Sequence, residues 1–140
     1  MNSEGNLKYL QEELRFKIGE QYELNEFNLK SIDSTFENSI EYENYEYIKG
    51  DFKTLFDVNL SKNVILQYNA DILSGLIYRL DLKDLDSLIE KLNEYLSFDR
   101  KLDTQKHVSG QVITVFSFQE ISLTLDVEKD LRLRVFKPLG

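Results

Sequence analysis

The chain has 140 residues, of which 41% are apolar and 12% aromatic, which is enough to build the core of one folded domain spanning residues 1–140. Cysteine is absent, which excludes disulfide and thiolate chemistry and fits a reducing compartment. With 25 acidic and 17 basic residues the formal charge is −8, which disfavours direct binding to nucleic acid or to a membrane surface and favours a basic protein partner.

Neither a secretory signal nor a membrane span is recognisable. The first residues, MNSEGNLKYLQEEL, do not combine a basic segment with an apolar one. No apolar run approaches the roughly 20 residues that a transmembrane helix needs. We therefore expect a soluble, cytoplasmic protein.

The N-terminal segment combines two periodicities. Leucines recur at helical spacing up to Leu14, whereas the positions from Leu14 onward alternate between apolar and polar residues as in a strand. We predict a short helix that ends near Glu13, followed by a strand from about Leu14 to Leu24.

The stretch IEYENYEYIKGDF, residues 40–52, crowds three tyrosines among four carboxylates. Strict alternation puts tyrosines on both faces of a strand, and the pattern changes phase near Asn44. Either a bulge shifts the register there, or both faces carry tyrosines and one of them meets solvent. The stretch is thus either an ordinary half-buried strand or an acidic, aromatic contact surface. In the second case the contact residues are Glu41, Tyr42, Glu43, Tyr45, Glu46, Tyr47 and Asp51.

Alternating segments follow along the rest of the chain. FDVNLSKNVILQY, residues 56–68, alternates on both sides of a polar Ser-Lys-Asn segment and predicts a β-hairpin, and ADILSGLIYRLDL predicts a further strand. VITVFSF, ISLTLDV and LRLRVF predict three strands near the C-terminus. Arg132 and Arg134 share the outer face of the last strand, where they could clamp an anion or pair with acids on a neighbouring strand.

The clearest element is DLKDLDSLIEKLNEYLSF, in which we predict a helix over residues 82–97. Its apolar positions recur at helical spacing and form one stripe, made of Leu85, Leu88, Ile89, Leu92 and Leu96. The order of helix, strands, helix and strands indicates an α+β fold. We expect a mostly antiparallel sheet with a short N-terminal helix and one long amphipathic helix packed on it.

Motifs that carry chemistry are scarce. His107 is the single histidine and stands in a polar segment, and without cysteine we expect no zinc site. Phosphate-binding glycine motifs, the nucleophile elbow of serine hydrolases and the spacing of an EF-hand are absent. We therefore expect no metal, no cofactor and no enzymatic activity. A hydrolase that uses carboxylates alone is the less favoured alternative among so many acids.

The C-terminal part of the chain is similar in layout to a group of small bacterial immunity proteins encoded beside wall-associated and other polymorphic toxins. In that group a D-x-N-W-L segment precedes a leucine-rich helix, and a Phe-containing E-P-N-L stretch precedes the final strands. Asp57–Leu60 (DVNL) resembles the first segment but lacks its tryptophan. Phe118–Leu123 (FQEISL) stands in the place of the second but lacks its proline and asparagine.

This resemblance implies a non-catalytic protein that binds and neutralises a co-encoded toxin. Toxins that cut nucleic acid are usually basic, so an acidic surface would speed their capture. Residues 40–52 then become the leading candidates for contact, because tyrosines supply rigid contact area. The alternative is a small acidic inhibitor or accessory protein of another enzyme, for example a phage-encoded one. The sequence does not determine the oligomeric state.

Overall fold

The computed structural model describes residues 3–37, 39–96, 111–116, 119–125 and 131–136. This part of the chain has an α+β fold with two α-helices, Ser3–Leu14 (α1) and Leu85–Asn93 (α2). Its strands are β1 (Leu29–Ser31), β2 (Thr35–Glu37), β3 (Ile40–Tyr47), β4 (Thr54–Leu55), β5 (Val58–Asn59), β6 (Ile65–Asn69), β7 (Ile72–Leu80), β8 (Gln111–Phe116), β9 (Gln119–Leu125) and β10 (Leu131–Phe136).

One large antiparallel sheet organises the molecule, with the strand order β1-β3-β6-β7-β10-β9-β8. β1 and β2 follow one another along the outer edge of β3, and between them Ile32 N donates to Asn44 O at 3.0 Å. β4 and β5 form a separate small hairpin. The predicted mostly antiparallel sheet is therefore confirmed.

One face of the sheet carries the core, and we call it the front face. Leu66, Leu76 and Val135 are register partners on three adjacent strands, and all three are fully buried. Leu14 of α1 and Leu88 of α2 belong to the same buried cluster, as do apolar residues of β4 and β5. Burial of these side chains against one another is the main stabilising contribution to the fold. The opposite, more polar side is the back face.

The predicted strand from Leu14 to Leu24 is wrong. α1 continues to Leu14, the chain reverses at Arg15 with a φ of 70°, and a short 3₁₀ helix spans Tyr22–Leu24. The alternation of apolar and polar residues that suggested a strand does correspond to alternating burial, because Phe16 and Ile18 both enter the core. They do so from the loop that follows α1, and a positive φ such as that of Arg15 cannot belong to a regular strand.

The predicted hairpin over residues 56–68 is also wrong. β5 pairs with β4 through a turn in which Phe56 and Asp57 both have positive φ, whereas β6 pairs with β3 and β7. A bulky residue rarely accepts such a conformation. Phe56 does so here because its ring is buried 5.5 Å from Tyr95, and its backbone N–H donates to Glu13 Oε1 at 2.6 Å. Tertiary packing overrides the local turn preference.

The amphipathic helix is present but shorter than predicted. A 3₁₀ helix over Leu82–Asp84 leads into α2, which ends at Asn93. Residues 94–96 then form a turn, and residue 97 lies outside the described part of the chain. The apolar stripe faces the core as predicted, since Leu88 and Leu92 are fully buried. In the described residues no helix is both long and apolar enough to cross a membrane.

Candidate functional site

The acidic, tyrosine-rich segment becomes β3, the second strand from one end of the sheet. Its pairing with β6 runs from Glu43 to Glu46 without a register shift, so no bulge explains the change of phase at Asn44. Both faces of β3 carry tyrosines instead, which was the other predicted explanation. Tyr45 and Tyr47 lie on the front face, and Tyr42 lies on the back face.

The end of β3 belongs to the core. Tyr47 is only 3% exposed, and its ring lies 4.9 Å from that of Phe16. Its hydroxyl donates to Asp51 Oδ1 at 2.8 Å, and Arg15 Nη2 lies 2.6 Å from Asp51 Oδ2. Arg15 also stands over the rings of Phe16, Tyr47 and Phe52 in cation–π contacts. Tyr47 and Asp51 therefore have partners within the chain and hold the loop after α1 against the loop after β3.

The pKa values of these groups reflect the same contacts. Burial raises the pKa of Tyr47, and its hydrogen bond to Asp51 acts in the same direction. The hydrogen bond from Arg15, followed by the one from Tyr47, lowers the pKa of Asp51 to about 2. In the folded protein the carboxylate of Asp51 is therefore ionised at neutral pH.

Acidification should remove the stability that this contact provides. Because the pKa of Asp51 is lowered from 3.8 to about 2, the contribution is complete above about pH 4 and is lost as the pH falls through about 2. Asp51→Asn should therefore melt below wild type near neutral pH, and the two thermal midpoints should converge on acidification. Arg15→Gln should also melt below wild type near neutral pH, but part of its difference should persist on acidification, because the cation–π contacts that it loses do not depend on the charge of Asp51. A constant difference between wild type and Asp51→Asn at every pH would contradict this assignment.

The middle of β3 contributes to an aromatic cluster at the surface. The half-buried ring of Tyr45 lies 5.2 Å from Tyr22 and 5.7 Å from the buried Tyr68. The Tyr45 hydroxyl donates to Glu43 Oε2 at 3.1 Å. Burial, followed by this hydrogen bond, raises the pKa of Tyr45 to about 12. Tyr45 is thus fixed by its neighbours while Glu43 stays exposed.

The back face of β3 is tied to its neighbours through polar contacts. Asn44 is 5% exposed and donates to Asp33 O at 2.9 Å and to Thr35 Oγ1 at 3.1 Å, and it accepts a hydrogen bond from Gln67. Glu46 forms an ion pair with Arg79 at 3.1 Å. Buried amides need such partners, and these bonds satisfy Asn44. Glu46, like Asp51, is therefore already paired within the chain.

The hairpin formed by β2 and β3 bends over the back face. Glu37 Oε2 of β2 lies 3.5 Å from Arg134 Nη2 of β10, although three strands separate β2 from β10 in the sheet. Arg132 and Arg134 were predicted either to bind an anion or to pair with acids. For Arg134 this contact favours pairing with an acid. The acid seen in this contact belongs to the hairpin, whereas Asp126 and Glu128, the acids that follow the neighbouring strand, lie outside the described residues.

The outer side of the same hairpin carries an aromatic residue that sequence reasoning missed. Phe36 is 72% exposed and is the register partner of Glu41, which is itself exposed. Glu43 follows on the same side of β3 and leads to Tyr45. We call Phe36, Glu41, Glu43 and Tyr45 the hairpin surface. The residue types of Asn38 and Ser39, which favour turns, were the sequence signal that could have revealed the hairpin that presents it.

A second exposed aromatic residue lies elsewhere. Phe27 is 92% exposed and belongs to a 3₁₀ helix over Glu26–Asn28, close to Leu24, which is also exposed. Isolated exposed apolar residues are common on protein surfaces. Phe27 therefore serves below as a control for Phe36.

Two surface cavities bear on the possibility of catalysis. One, of about 300 Å³, is lined by Glu46, Lys53, Lys62 and neighbouring residues, and its carboxylate is paired with Arg79. The other, of about 380 Å³, is lined by apolar and amide side chains that include Ile18 and Asn69. Neither brings together the two carboxylates that acid–base catalysis would use.

Among the described residues, no group of three or more histidine, cysteine or acidic side chains is placed to hold a metal ion. His107 and the polar segment around it lie outside the described residues. Comparisons with protein-family models, with curated proteins and with solved structures found no match to this chain.

Proposed function

We propose that this protein is a non-catalytic binding protein for a basic protein partner, and that it acts as an immunity protein by neutralising a co-encoded toxin. The observation that carries the proposal is the hairpin surface, where an exposed phenylalanine stands directly opposite an exposed glutamate. The net charge of −8 and the layout resemblance to immunity proteins point in the same direction.

The chemistry of the hairpin surface suits this role. An aromatic ring that fills an apolar socket on the partner supplies the kind of contact that dominates protein–protein affinity. The carboxylates of Glu41 and Glu43 border the ring, so lysines and arginines around such a socket would be attracted to the correct position. The partner that this surface fits is therefore an apolar socket with a basic rim.

The hairpin is also held in place before any partner arrives. Asn44 fixes the strand next to Phe36 through its hydrogen bonds to Asp33 and Thr35, and Glu37 contacts Arg134 across the back face. A surface that is already ordered loses less conformational entropy on binding. This rigidity favours tight binding by a small area.

The seven residues of the predicted contact surface divide into two groups. Glu41, Glu43 and Tyr45 belong to the hairpin surface, and we retain them as contact candidates together with Tyr42, which lies in the same hairpin but on its back-face side. Tyr47 is buried, and Glu46 and Asp51 are ion-paired within the chain. We assign those three a supporting role, since removing one partner of a buried or half-buried contact affects the fold first.

The test uses the purified product of the gene adjacent to this one. We expect Glu41→Gln/Glu43→Gln to slow association roughly severalfold and to flatten its salt dependence, because charge steers the encounter. The unfolding midpoint should not change, since exposed charges contribute little to stability. Glu90→Gln/Glu94→Gln removes the same charge from exposed positions in and after α2, and it should leave association at the wild-type rate.

Phe36→Ala should change the dissociation rate constant and not the association rate constant. Loss of an aromatic anchor is expected to speed dissociation by about thirtyfold, the equivalent of ~2 kcal/mol. Phe27→Ala is the matched control and should dissociate at the wild-type rate. Faster dissociation for Phe27→Ala than for Phe36→Ala would place the contact at the 3₁₀ helices. Absence of binding to the neighbouring gene product would contradict the immunity proposal and would favour the inhibitor of another enzyme.

A further inference from the structure

The two ends of the large sheet differ in how their edges are protected. At one end, β1 and β2 have three residues each, they are interrupted at 32–34, and they carry the exposed Lys30 and Glu37. Short strands and charged side chains are the usual means by which a sheet edge avoids pairing with another chain. These features disfavour the pairing of a further strand at this end of the sheet.

The other end of the sheet is β8, which lacks these features. β8 has six residues, QVITVF, none of them charged, and within the described residues β9 is its one neighbour. Three of the six are β-branched apolar residues with high strand propensity. The regular pairing with β9 covers Gln111–Thr114, before a register shift near Phe116. The backbone groups on the outer side of this run are free to pair with another strand, as far as the described residues show.

The charge pattern around β8 is unusual for this chain. No acidic or basic residue occurs between Lys106 and Glu120, which is a charge-free run of 13 residues and the longest in the sequence. Charged residues make up 30% of the chain, and acids outnumber bases. Two copies of the protein would repel each other at most surfaces, but at β8 no like charges come into contact.

We propose that β8 pairs with β8 of a second copy of this chain, antiparallel about a two-fold axis, so that two sheets become one. Such an interface is isologous, meaning that each copy contributes the same strand. The proposal is independent of the immunity function, because the hairpin surface lies at the opposite end of the sheet.

Salt provides a first discriminating observation. Each copy carries a formal charge of −8, so the two copies repel each other at long range even though β8 itself is uncharged. Raising the salt concentration screens this repulsion and should tighten the dimer. Binding of a basic partner should instead weaken with salt.

The test measures mass by light scattering after size-exclusion chromatography, over a wide range of protein concentration. Wild type should rise from 16.5 kDa toward twice that mass. Thr114→Lys should stay monomeric, because a lysine on each edge strand brings two like charges into a junction that is otherwise uncharged. Position 114 is the register partner of Glu120, so the new lysine is compatible with the β8–β9 pair. Ser31→Lys places the same charge in β1, at the protected edge, and should dimerise as wild type does.

Hydrogen exchange on the wild-type protein gives a second measurement that needs no variant. Amides of residues 111–116 should become more protected as the concentration rises, whereas those of residues 29–31 should not. Each of three results would overturn the proposal: a wild type that is monomeric throughout, dimerisation of Thr114→Lys at wild-type strength, or failure of Ser31→Lys to dimerise.

Discussion

Replacing Leu88 with alanine should lower the free energy of unfolding by about 2–5 kcal/mol. Leu88 is fully buried on the face of α2 that meets the sheet, in one cluster with Leu76 and Leu133. Removing the side chain loses its burial and leaves a cavity that the surrounding strands can fill only in part. Chemical denaturation monitored by circular dichroism would measure the change.

Glu90→Ala provides the matched control, because Glu90 is exposed in the same helix and alanine favours helix formation. We expect this control to unfold at the wild-type denaturant concentration or slightly above it. If Leu88→Ala is as stable as Glu90→Ala, α2 does not pack on the sheet through its leucine stripe.

Replacing Tyr47 with alanine should cost about 3–5 kcal/mol, the range found for buried aromatic residues. The variant loses the contact with Phe16 and the hydrogen bond to Asp51, and it leaves the Arg15–Asp51 pair without its aromatic support. Unfolding of the variant and its binding to the partner should be measured together. Tyr47→Ala should be destabilised, whereas Glu41→Gln/Glu43→Gln should keep wild-type stability.

Tyr9→Ala is the control for aromatic truncation, since Tyr9 is 58% exposed on α1. Its cost should be small compared with that of Tyr47→Ala. A wild-type stability for Tyr47→Ala would mean that the end of β3 is surface and not core. The segment at residues 40–52 would then have to be reinterpreted as a continuous contact strip.

Periodicity predicted the regular elements of this fold well. The alternation of LRLRVF identified β10 together with its buried face, and the leucine stripe identified α2. Both elements lie flat against the core, so their burial follows the period of their own secondary structure. The α+β class followed from their order along the chain.

The errors occurred where buried residues belong to irregular backbone. Phe16 and Ile18 alternate in burial as in a strand, but they enter the core from a loop that begins with the left-handed Arg15. Phe56 is buried at a turn position that its residue type disfavours. Local patterns report which side chains are apolar, and they do not report which backbone conformation the surrounding core imposes.

The sequence identified the strand that carries the predicted contact residues but not the arrangement of side chains around it. The period of two assigned Tyr42 and Tyr45 to opposite faces of β3, which the structure bears out. It could not reveal that the hairpin bends over the back face and buries Asn44, because that depends on contacts with Thr35 and Gln67. Phe36 was missed for the same reason, since exposure of a residue depends on where its neighbours fold.

The strand order also has a consequence for the speed of folding. β3, β6 and β7 come from one continuous part of the chain, and β8, β9 and β10 from another, so each half can pair locally. The halves meet where Leu131 pairs with Leu80, 51 positions earlier. Closing so long a loop costs entropy before any contact repays it. We expect this junction to form last, as a slow phase in refolding kinetics, and to be the step that limits how fast the complete sheet is assembled.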